Sequence, residues 1–475
     1  MQSVIRLNWT CGGYSQNVKD LVVLEQDLWK VMESYIQEMG LVRQHLDSYN
    51  DLLEHGLQEI IDEVGTIPIE VPDFGFSIKF GKLDVGAPRI VEVDGSEHKV
   101  LPLEARLRNL TYAAPMYLEM LEVRDGKEYS SEYIYVGDMP IMLKSKFCPL
   151  SEMSKDELIA AGEDADDPGG YFIINGSERV IVALEDLVPS RILVDLDESV
   201  STPIYRAKVF STTVGFRARI ELRMKPDGAI YASLPGVPTE LPLVILMRAL
   251  GLKSDIEIAE AVSLDESVQD LLDTSFEKAV GVGDVDQAML YIGNRVAHGQ
   301  IEEYRIRKAE SILDKNFLPH IGRTSDKRVD KALYLGEMAA RIIELKMGRR
   351  ESDDKDHYAN KRLRLAGPLL GDLFRVAFRN LCRDVKYQLE RMSIRQHEPG
   401  LISAAVRPGI ITERVQHALA TGNWGRGKVG ITQLLDRTNF IATLSHLRRL
   451  QSPLSRSQPN FEARDLHSTH WGRLC

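Results

Sequence analysis

The chain has 475 residues, of which 44% are hydrophobic and 27% are charged. This composition is typical of a globular protein. The length predicts more than one domain, because single domains seldom exceed about 250 residues. Four scattered cysteines do not suggest a disulfide scaffold, and the lack of a Cys-x-x-Cys pair excludes a local zinc ribbon. No apolar run has the length of a membrane span, and the N-terminus does not resemble a secretory signal. We therefore expect a cytoplasmic protein without a membrane partner.

Charge is distributed unevenly along the chain. Residues 401–475 contain ten Lys or Arg and four Asp or Glu, a balance of +6, so the net charge of -11 leaves -17 on residues 1–400. A basic end on an acidic body indicates one surface that faces a polyanion. An ordinary basic surface patch would give the same balance, and charge alone does not separate these two interpretations.

The first predicted element is a helix over residues 19–64, where apolar residues recur every three or four positions. Gly40 should interrupt it. Apolar and other residues then alternate over residues 74–80, which predicts a strand.

Two β-hairpins are predicted further along. Residues 171–185 form the first, because Asn175 and Gly176 suit the two positive φ angles of a type I′ turn. Residues 213–224 and 229–234 form the second, around a Pro-Asp-Gly turn.

The acidic residues 163–167 are expected to form a solvated loop. After residue 241 helices predominate, and the apolar spacing predicts helices over residues 241–251, 255–274, 300–315, 328–347 and 364–393. The chain is therefore expected to have a multi-domain α+β fold, with mixed helices and antiparallel sheets.

A glycine-rich stretch, residues 425–430, matches the dinucleotide fingerprint G-x-G-x-x-G. That fingerprint works between a strand and a helix, whereas residues 414–420 look helical and no strand is evident. The same stretch nearly makes a P-loop, but Val429 occupies the position of the magnesium-binding Ser or Thr. A loop with two positive charges is favoured. The competing hypothesis is a self-sufficient nucleotide-using enzyme, which should bind labelled ATP as an isolated chain.

Two clusters contain residue types that bind metals. His467 and His470, followed by Cys475, lack a second cluster, so polar loop histidines are favoured over a structural metal site. Residues 351–357 are rich in carboxylates that would suit magnesium, but neighbouring lysines and arginines make salt bridges an equal alternative.

The most informative region is residues 433–471, where arginines surround His446 and acidic residues are few. The guanidinium group is a planar fork of donors that matches phosphate oxygens. A wall of such groups binds a nucleic-acid backbone without reading its sequence. A solvated helix face with a loop is the alternative. The arginines are Arg437, Arg448, Arg449, Arg456 and Arg464.

Nine strings, in fixed order, resemble those of the second-largest subunit (B in archaea, β in bacteria) of multisubunit DNA-directed RNA polymerases. The archaeal type is closer, and the chain resembles the N-terminal polypeptide of the split archaeal subunit, B''. The strings are GLVRQHLDSY (40–49), EARLRNLTYAAP (104–115), PIMLKSK (140–146), GGYFIINGSER (169–179), DDKDHYANKR (353–362), LAGPLL (365–370), LATGNW (419–424), LSHLRR (444–449) and LHSTHWG (466–472).

The resemblance implies three modules. The protrusion would take residues 19–186 and return over 363–423. The lobe would be inserted over 187–362, and an incomplete fork would occupy 424–475. Residues 1–18 stay unassigned.

The resemblance also implies a role in transcription. The chain would be a core subunit that lines the DNA cleft and the RNA–DNA hybrid site, beside the largest subunit, the C-terminal half of the second-largest subunit and the assembly subunits. Other chains would hold the catalytic Mg²⁺, so this chain would bind no cofactor, contain no catalytic residue and be inactive alone. A stand-alone nucleic-acid-binding adaptor is the alternative, and it would not co-purify with the other core subunits.

Motif position implies a set of residues that face the hybrid or nearby strands. One basic position of the family, before the LATGNW string, is Gln416 here, so the set of contacts is not identical to that of the family. The implied nucleic-acid-binding residues are Arg179, Gln433, Arg449, Arg456 and Arg464.

Overall fold

The chain folds into two compact units. One combines residues 1–183 with 365–451, and the other combines residues 184–364 with 452–475. The assignment of these parts to a protrusion, a lobe and a fork stays a prediction. In the parts of the chain that are described, no helix is long and apolar enough to cross a membrane. The computed structural model describes residues 25–70, 75–92, 94–124, 127–197, 203–213, 216–396, 401–425, 428–452 and 467–471.

The N-terminal part of the first unit alternates helices and antiparallel strands. Its helices are α1 (Glu25–Met39), α2 (Arg43–Asp51), α3 (Leu57–Val64), α4 (Pro102–Leu107) and α5 (Lys155–Ala160). Its strands are β1 (Thr66–Glu70), β2 (Gly75–Val85), β3 (Arg89–Val91), β4 (Glu97–Lys99), β5 (Ala113–Arg124), β6 (Lys127–Pro140), β7 (Phe172–Ile174) and β8 (Ser177–Ile181).

The helix predicted over residues 19–64 is confirmed from residue 25 onward, and residues 19–24 lie outside the described part. Gly40 ends α1 with a φ of +66°. A π-helical turn, Leu52–Gly56, joins α2 to α3.

A four-stranded antiparallel sheet has the order β1-β2-β5-β6. In β2 the side chains of Phe76, Ile78 and Phe80 are buried, and the residues between them are not. This confirms the alternation from which the strand was predicted. The partner hairpin β5–β6 was not predicted, because the first half of β6 is exposed and polar and so shows no apolar alternation.

The hairpin β7–β8 confirms the predicted type I′ turn. Asn175 has a φ of +49° and Gly176 a φ of +74°. A Cβ atom at Gly176 would lie 2.8 Å from the Cα of Asn109, so this corner requires glycine.

The second unit pairs an antiparallel sheet with helices. Its strands are β9 (Ala183–Leu187), β10 (Leu193–Asp197), β11 (Ile204–Thr213), β12 (Phe216–Met224), β13 (Ile230–Ser233), β14 (Leu241–Pro242) and β15 (Lys361–Arg364). Its helices are α6 (Leu243–Ala249), α7 (Asp255–Val262), α8 (Glu266–Gln269), α9 (Asp273–Glu277), α10 (Val285–Val296), α11 (Glu302–Lys315) and α12 (Arg328–Lys346).

Strands β10 to β14 form one sheet in chain order, and β12–β13 confirms the second predicted hairpin. Helix α6 is buried along its whole length and forms the centre of this core. Lys331 on α12 is fully buried, and its ammonium group donates to the carbonyl oxygens of Leu313 and Asp314, each at 2.8 Å. Burial lowers the pKa of Lys331 to about 8.

The single helix predicted over residues 255–274 is wrong. Helix α7 ends at Val262, and a new helix begins because the side chain of Asp265 accepts a hydrogen bond from the backbone N–H of Ser267 (3.0 Å). Helix α10 was not predicted.

The chain then returns to the first unit. Its elements there are α13 (Ala366–Gln396), α14 (Ile402–Ala405), α15 (Gly409–Thr421), β16 (Asn423–Gly425), β17 (Lys428–Val429), β18 (Thr432–Leu434), α16 (Phe440–Leu447) and β19 (Leu450–Gln451). Both units therefore contain helices and antiparallel sheets, which confirms the α+β fold.

Helix α13 joins the two sequence segments of the first unit. Its Phe378 ring lies 5.3 Å from the Phe80 ring of β2. Its first turn lies so close to α2 that a Cβ atom at Gly367 would be 2.2 Å from the carbonyl oxygen of Ser48. The backbone N–H of Gly367 donates to the Ser48 hydroxyl at 3.0 Å.

Candidate nucleic-acid interface

A three-stranded antiparallel sheet of order β18-β8-β7 holds two of the implied binding residues. Gln433 pairs with Val180, and Leu434 pairs with Arg179. Directly paired residues share a face of a sheet, and neighbours along a strand alternate between faces. Gln433 and Arg179 therefore lie on opposite faces and do not form one wall.

The two residues also differ in their surroundings. Arg179 is half-buried, and its buried Nε atom has no hydrogen-bond partner among the residues that the structure describes. Half-buried Gln433 is held at both ends of its amide: Nε2 donates to the carbonyl oxygen of Gly430 (3.2 Å), and Oε1 lies 3.0 Å from Nε2 of His446.

The buried His446 ring fixes this geometry. Its Nδ1 accepts the backbone N–H of Asp436 at 3.1 Å, so Nδ1 carries no proton and Nε2 is the donor to Gln433. Burial lowers the pKa of His446, and the nearby positive charge of Arg449 lowers it further. The neutral Nε2–H form therefore orients Gln433.

Arg437 is the centre of an ion-pair network that sequence reasoning missed. Its Nε and Nη2 donate to the two carboxylate oxygens of Glu178, at 2.6 and 3.0 Å. Nη2 also donates to Asp167 (2.9 Å) and to the Tyr171 hydroxyl (2.7 Å). Carboxylates of the same unit therefore already occupy the guanidinium group of Arg437.

A second arginine completes the network. Arg106 donates to Glu178 and to Glu163, each at 2.9 Å, and to the Tyr171 hydroxyl at 2.8 Å. Glu163 is buried, so the expectation of a fully solvated acidic loop over residues 163–167 is wrong at this position.

The network controls the ionisation of its members. Burial raises the pKa of Asp167, but hydrogen bonds from Tyr171, the Gly169 N–H and Arg437 outweigh it and hold that pKa below its usual range. Burial likewise raises the pKa of Glu178, and Arg437 with Arg106 holds it low. Both carboxylates therefore stay charged near neutral pH and retain the two arginines.

Helix α16 positions the arginine pair that follows it. The side chain of Asn439 caps its N-terminus by accepting the Ala442 N–H at 2.7 Å. At its C-terminus, His45 Nε2 lies 2.6 Å from the carbonyl oxygen of Leu447. The carbonyl oxygens of a last helical turn lack partners in the helix, so this contact fixes the end of α16 to α2.

Arg448 and Arg449 are both exposed directly after α16. Arg448 Nη1 donates to the carbonyl oxygen of Leu41 at 2.7 Å. Within the described residues neither arginine forms an ion pair with a carboxylate, and Arg449 lies close enough to Asp436 for their charges to interact. They are thus positive groups held on a fixed helix end. Arg456 and Arg464, the other implied arginines, lie outside the described residues.

Gln416, at the position where the resemblance implied a basic residue, is engaged inside the first unit. Its Nε2 donates to the Thr111 hydroxyl (2.9 Å) and to Asn175 Oδ1 (2.8 Å). This amide links α15 to the β7–β8 turn and offers no positive charge there.

The glycine-rich stretch does not have the arrangement of a nucleotide site. Contrary to expectation a strand is present, since β16 pairs with β17. Strand β18 follows β17, so the described residues of the stretch are followed by a strand and not by the helix that a nucleotide site requires.

The two clusters of metal-ligand types make internal contacts in the second unit. His470 Nε2 donates to the carbonyl oxygen of Asp356 (2.8 Å), and its Nδ1 accepts the His467 N–H (3.2 Å). Asp353 pairs with Arg350 at 3.3 Å, and Asp356 lies 4.0 Å from Lys361. Over the described ranges, no group of three His, Cys, Asp or Glu residues is arranged to hold a metal ion.

Comparison with known families identifies the class of protein. Residues 40–413 match the family model described as RNA polymerase beta subunit, and residues 433–475 match the model described as RNA polymerase Rpb2, domain 3. The chain therefore belongs to the RNA polymerase beta subunit family.

Three relatives of high sequence identity are archaeal subunits of this family. The chain is 55% identical to DNA-directed RNA polymerase subunit Rpo2 of Saccharolobus shibatae, over 94% of this chain and 39% of the relative. It is 50% identical to subunit Rpo2N of Methanococcus vannielii, over 94% of this chain and 90% of the relative. It is 45% identical to subunit Rpo2N of Halobacterium salinarum, over 95% of this chain and 89% of the relative.

The chain thus spans about two fifths of the length of Rpo2 and about nine tenths of the length of Rpo2N. The resemblance to the N-terminal polypeptide of the split archaeal subunit is confirmed.

Proposed function

We propose that the chain acts in the cytoplasm as a core subunit of a DNA-directed RNA polymerase and lines its DNA cleft. Its partners are the largest subunit, the remaining polypeptide of the second-largest subunit, the assembly subunits, the template DNA and the RNA–DNA hybrid. Membership of the RNA polymerase beta subunit family and the names of the Rpo2 and Rpo2N relatives support this. On this proposal other chains hold the catalytic Mg²⁺, and the isolated chain does not polymerise nucleotides.

The observation that carries the nucleic-acid role is the exposed pair Arg448 and Arg449 at the end of α16. The chain has a net charge of -11, yet across the described ranges neither of these two neighbouring guanidinium groups forms an ion pair with a carboxylate. The contact between His45 and Leu447 holds the helix end that carries them. A fixed guanidinium pair suits phosphate oxygens, which every sequence presents alike, so a moving polymerase can bind and release them at each step.

The other implied residues have different roles in the proposal. Gln433 orders the loop through His446 and presents only its remaining amide hydrogen to a nucleic acid. Arg179, on the opposite face of the sheet, would make a separate contact. Arg456 and Arg464 are proposed as further phosphate contacts on sequence position alone.

Charge reversal of Arg449 tests the proposal. Polymerase reconstituted with Arg449→Glu should form elongation complexes that dissociate at lower salt than wild-type complexes. The slope of log K against log salt should fall by about one for each lost phosphate contact.

The matched control is Arg307→Glu. Arg307 on α11 is also exposed, and its substitution by glutamate makes the same change of charge in the second unit. Wild-type salt resistance of the Arg449→Glu complex would contradict the proposed contact. Failure of the wild-type chain to co-purify with any polymerase subunit would contradict the proposed function as a whole.

A further inference from the structure

Helix α1 exposes an unusual amount of apolar surface. Trp29 and Val31 are each 68% exposed, and Tyr35 is 59% exposed. A monomeric protein seldom leaves so many large apolar side chains together in water. The exposed apolar residues of the helix are Leu28, Trp29, Val31, Met32, Tyr35, Ile36 and Met39.

These residues form one stripe. From Leu28 to Met39 they recur at spacings of three and four, which places them on one side of a helix over a length of about 16 Å. The polar residues Lys30, Ser34 and Gln37 lie on the opposite side. An amphipathic helix with this pattern is stable when its apolar stripe lies in an apolar groove.

The charge of the helix limits what can cover the stripe. Glu25–Met39 contains four acidic residues and one lysine, a balance of -3. Nucleic acid and anionic membrane surfaces would repel this charge, since helices that bind them are basic. A second copy of the helix would also be repelled, because it carries the same negative charge. The complementary surface is therefore a protein groove with an apolar floor and a basic rim.

The relatives indicate which protein supplies that groove. In Rpo2 the matched region is 39–40% of one continuous chain, so about 60% of that chain lies outside the part represented here. In the Rpo2N relatives the matched region is about 90% of a separate polypeptide. A region that is covalently joined to its neighbour in some relatives and separate in others needs a noncovalent contact to replace the link.

We propose that the apolar stripe of α1 docks into a basic-rimmed groove on the polypeptide equivalent to the remainder of Rpo2. This inference rests on the proposed function, because it assumes assembly into a polymerase. It adds the surface through which the two parts of the subunit are held together.

Site-specific cross-linking in the assembled polymerase tests the inference. The full chain carries the photoreactive p-benzoylphenylalanine in place of Tyr35, is co-expressed with the remaining subunits, and is purified and irradiated. Mass spectrometry of the products should find cross-links to the polypeptide equivalent to the remainder of Rpo2.

The alternative results are distinguishable. Cross-links only to residues 1–24 of the same chain, to a second copy, to another subunit or to nucleic acid would overturn the inference while the proposed function stands. The same holds if the chain assembles and no cross-link forms. Absence of the chain from the purified polymerase would overturn both.

Paired substitutions provide a second measurement. Val31→Glu with Tyr35→Glu places two charges on the stripe and should weaken binding of the full chain to the purified remainder polypeptide at least about tenfold. Ser34→Glu with Gln37→Glu makes the same change of charge on the opposite side and should leave binding within about twofold. Circular dichroism checks that both variants stay folded. Equal affinities of the two double variants would overturn the inference.

Discussion

The guanidinium group of Arg437 donates hydrogen bonds of 2.6 and 3.0 Å to the two carboxylate oxygens of Glu178, which lies 259 positions earlier in the chain. This fork joins the loop before α16 to β8 of the small sheet. Tyr171, Asp167 and Arg106 surround the pair and share its hydrogen bonds. Charge-assisted hydrogen bonds, which are stronger than neutral ones, therefore hold the loop that leads into α16, the helix that carries the exposed arginines at its other end.

Glu178→Gln should lower the free energy of unfolding by about 2 kcal/mol, less than for a fully buried pair because Arg437 is partly screened by solvent. The amide cannot accept both donors of the arginine fork, and it leaves Arg106 with one carboxylate partner fewer. Urea unfolding followed by circular dichroism measures the change. Glu152→Gln, at an exposed glutamate, is the control and should change stability by less than about 0.5 kcal/mol. Equal stabilities of the two variants would show that the network contributes nothing.

The same network should make stability depend on pH in acid. The pKa values of Glu178 and Asp167 are lowered from 4.5 and 3.8 in the folded state, so the unfolded chain binds more protons in acid. Their contribution is therefore complete above pH 4.5 and lost as the pH falls through the folded values. Urea midpoints from pH 7 to pH 3 should fall more steeply for wild type than for Glu178→Gln. Parallel curves would contradict the assigned direction of the shifts.

Lys331 should make the stability of the folded chain depend on pH in the alkaline range. Its pKa falls from 10.5 to about 8 on folding, so between these values the unfolded chain binds more protons and stability rises with pH. The gain approaches about 3 kcal/mol for a shift of this size. Because other groups titrate there as well, the measurement is the difference in unfolding free energy between wild type and Lys331→Met from pH 7 to pH 10. A difference that stays constant over this range refutes the prediction.

Gly367→Ala should destabilise the first unit by about 3 kcal/mol, since the new methyl group would overlap the backbone of α2. The Cβ atom would stand 2.2 Å from the Ser48 carbonyl oxygen, and backbone cannot move aside as a flexible side chain can. Gly283→Ala is the control, because nothing lies within 4 Å of its Cβ position. Thermal unfolding of both variants gives the comparison. A wild-type melting temperature for Gly367→Ala would show that α13 can shift freely on α2.

Local chemistry explains which elements were predicted. The turn at Asn175 and Gly176 depends on two adjacent residues that tolerate positive φ, and helix α12 depends on spacing within one segment. Strand β6 was missed because its exposed half has no apolar alternation, and its position depends on pairing with β5. The break before α8 needed the side chain of Asp265 as a cap, a signal that apolar spacing does not contain.

The candidate site shows the same division. Arg437 and Arg449 are the same residue type and lie twelve positions apart, and residue type alone makes both of them candidates for phosphate contacts. Folding distinguishes them, because Glu178 and Asp167 form ion pairs with Arg437, whereas no described carboxylate forms an ion pair with Arg449. Exposure and partners are properties of the packed chain, so residue type alone does not show that carboxylates surround Arg437.

The sequence by itself determined the family, the α+β class and the turns and helices whose signals lie within a few residues. Tertiary structure alone decided which arginines are neutralised, which face of the small sheet Gln433 and Arg179 occupy, and that the stripe on α1 stays uncovered. The reason is physical. Backbone preferences act between neighbours, whereas ion pairs and burial depend on groups that only long-range folding brings together.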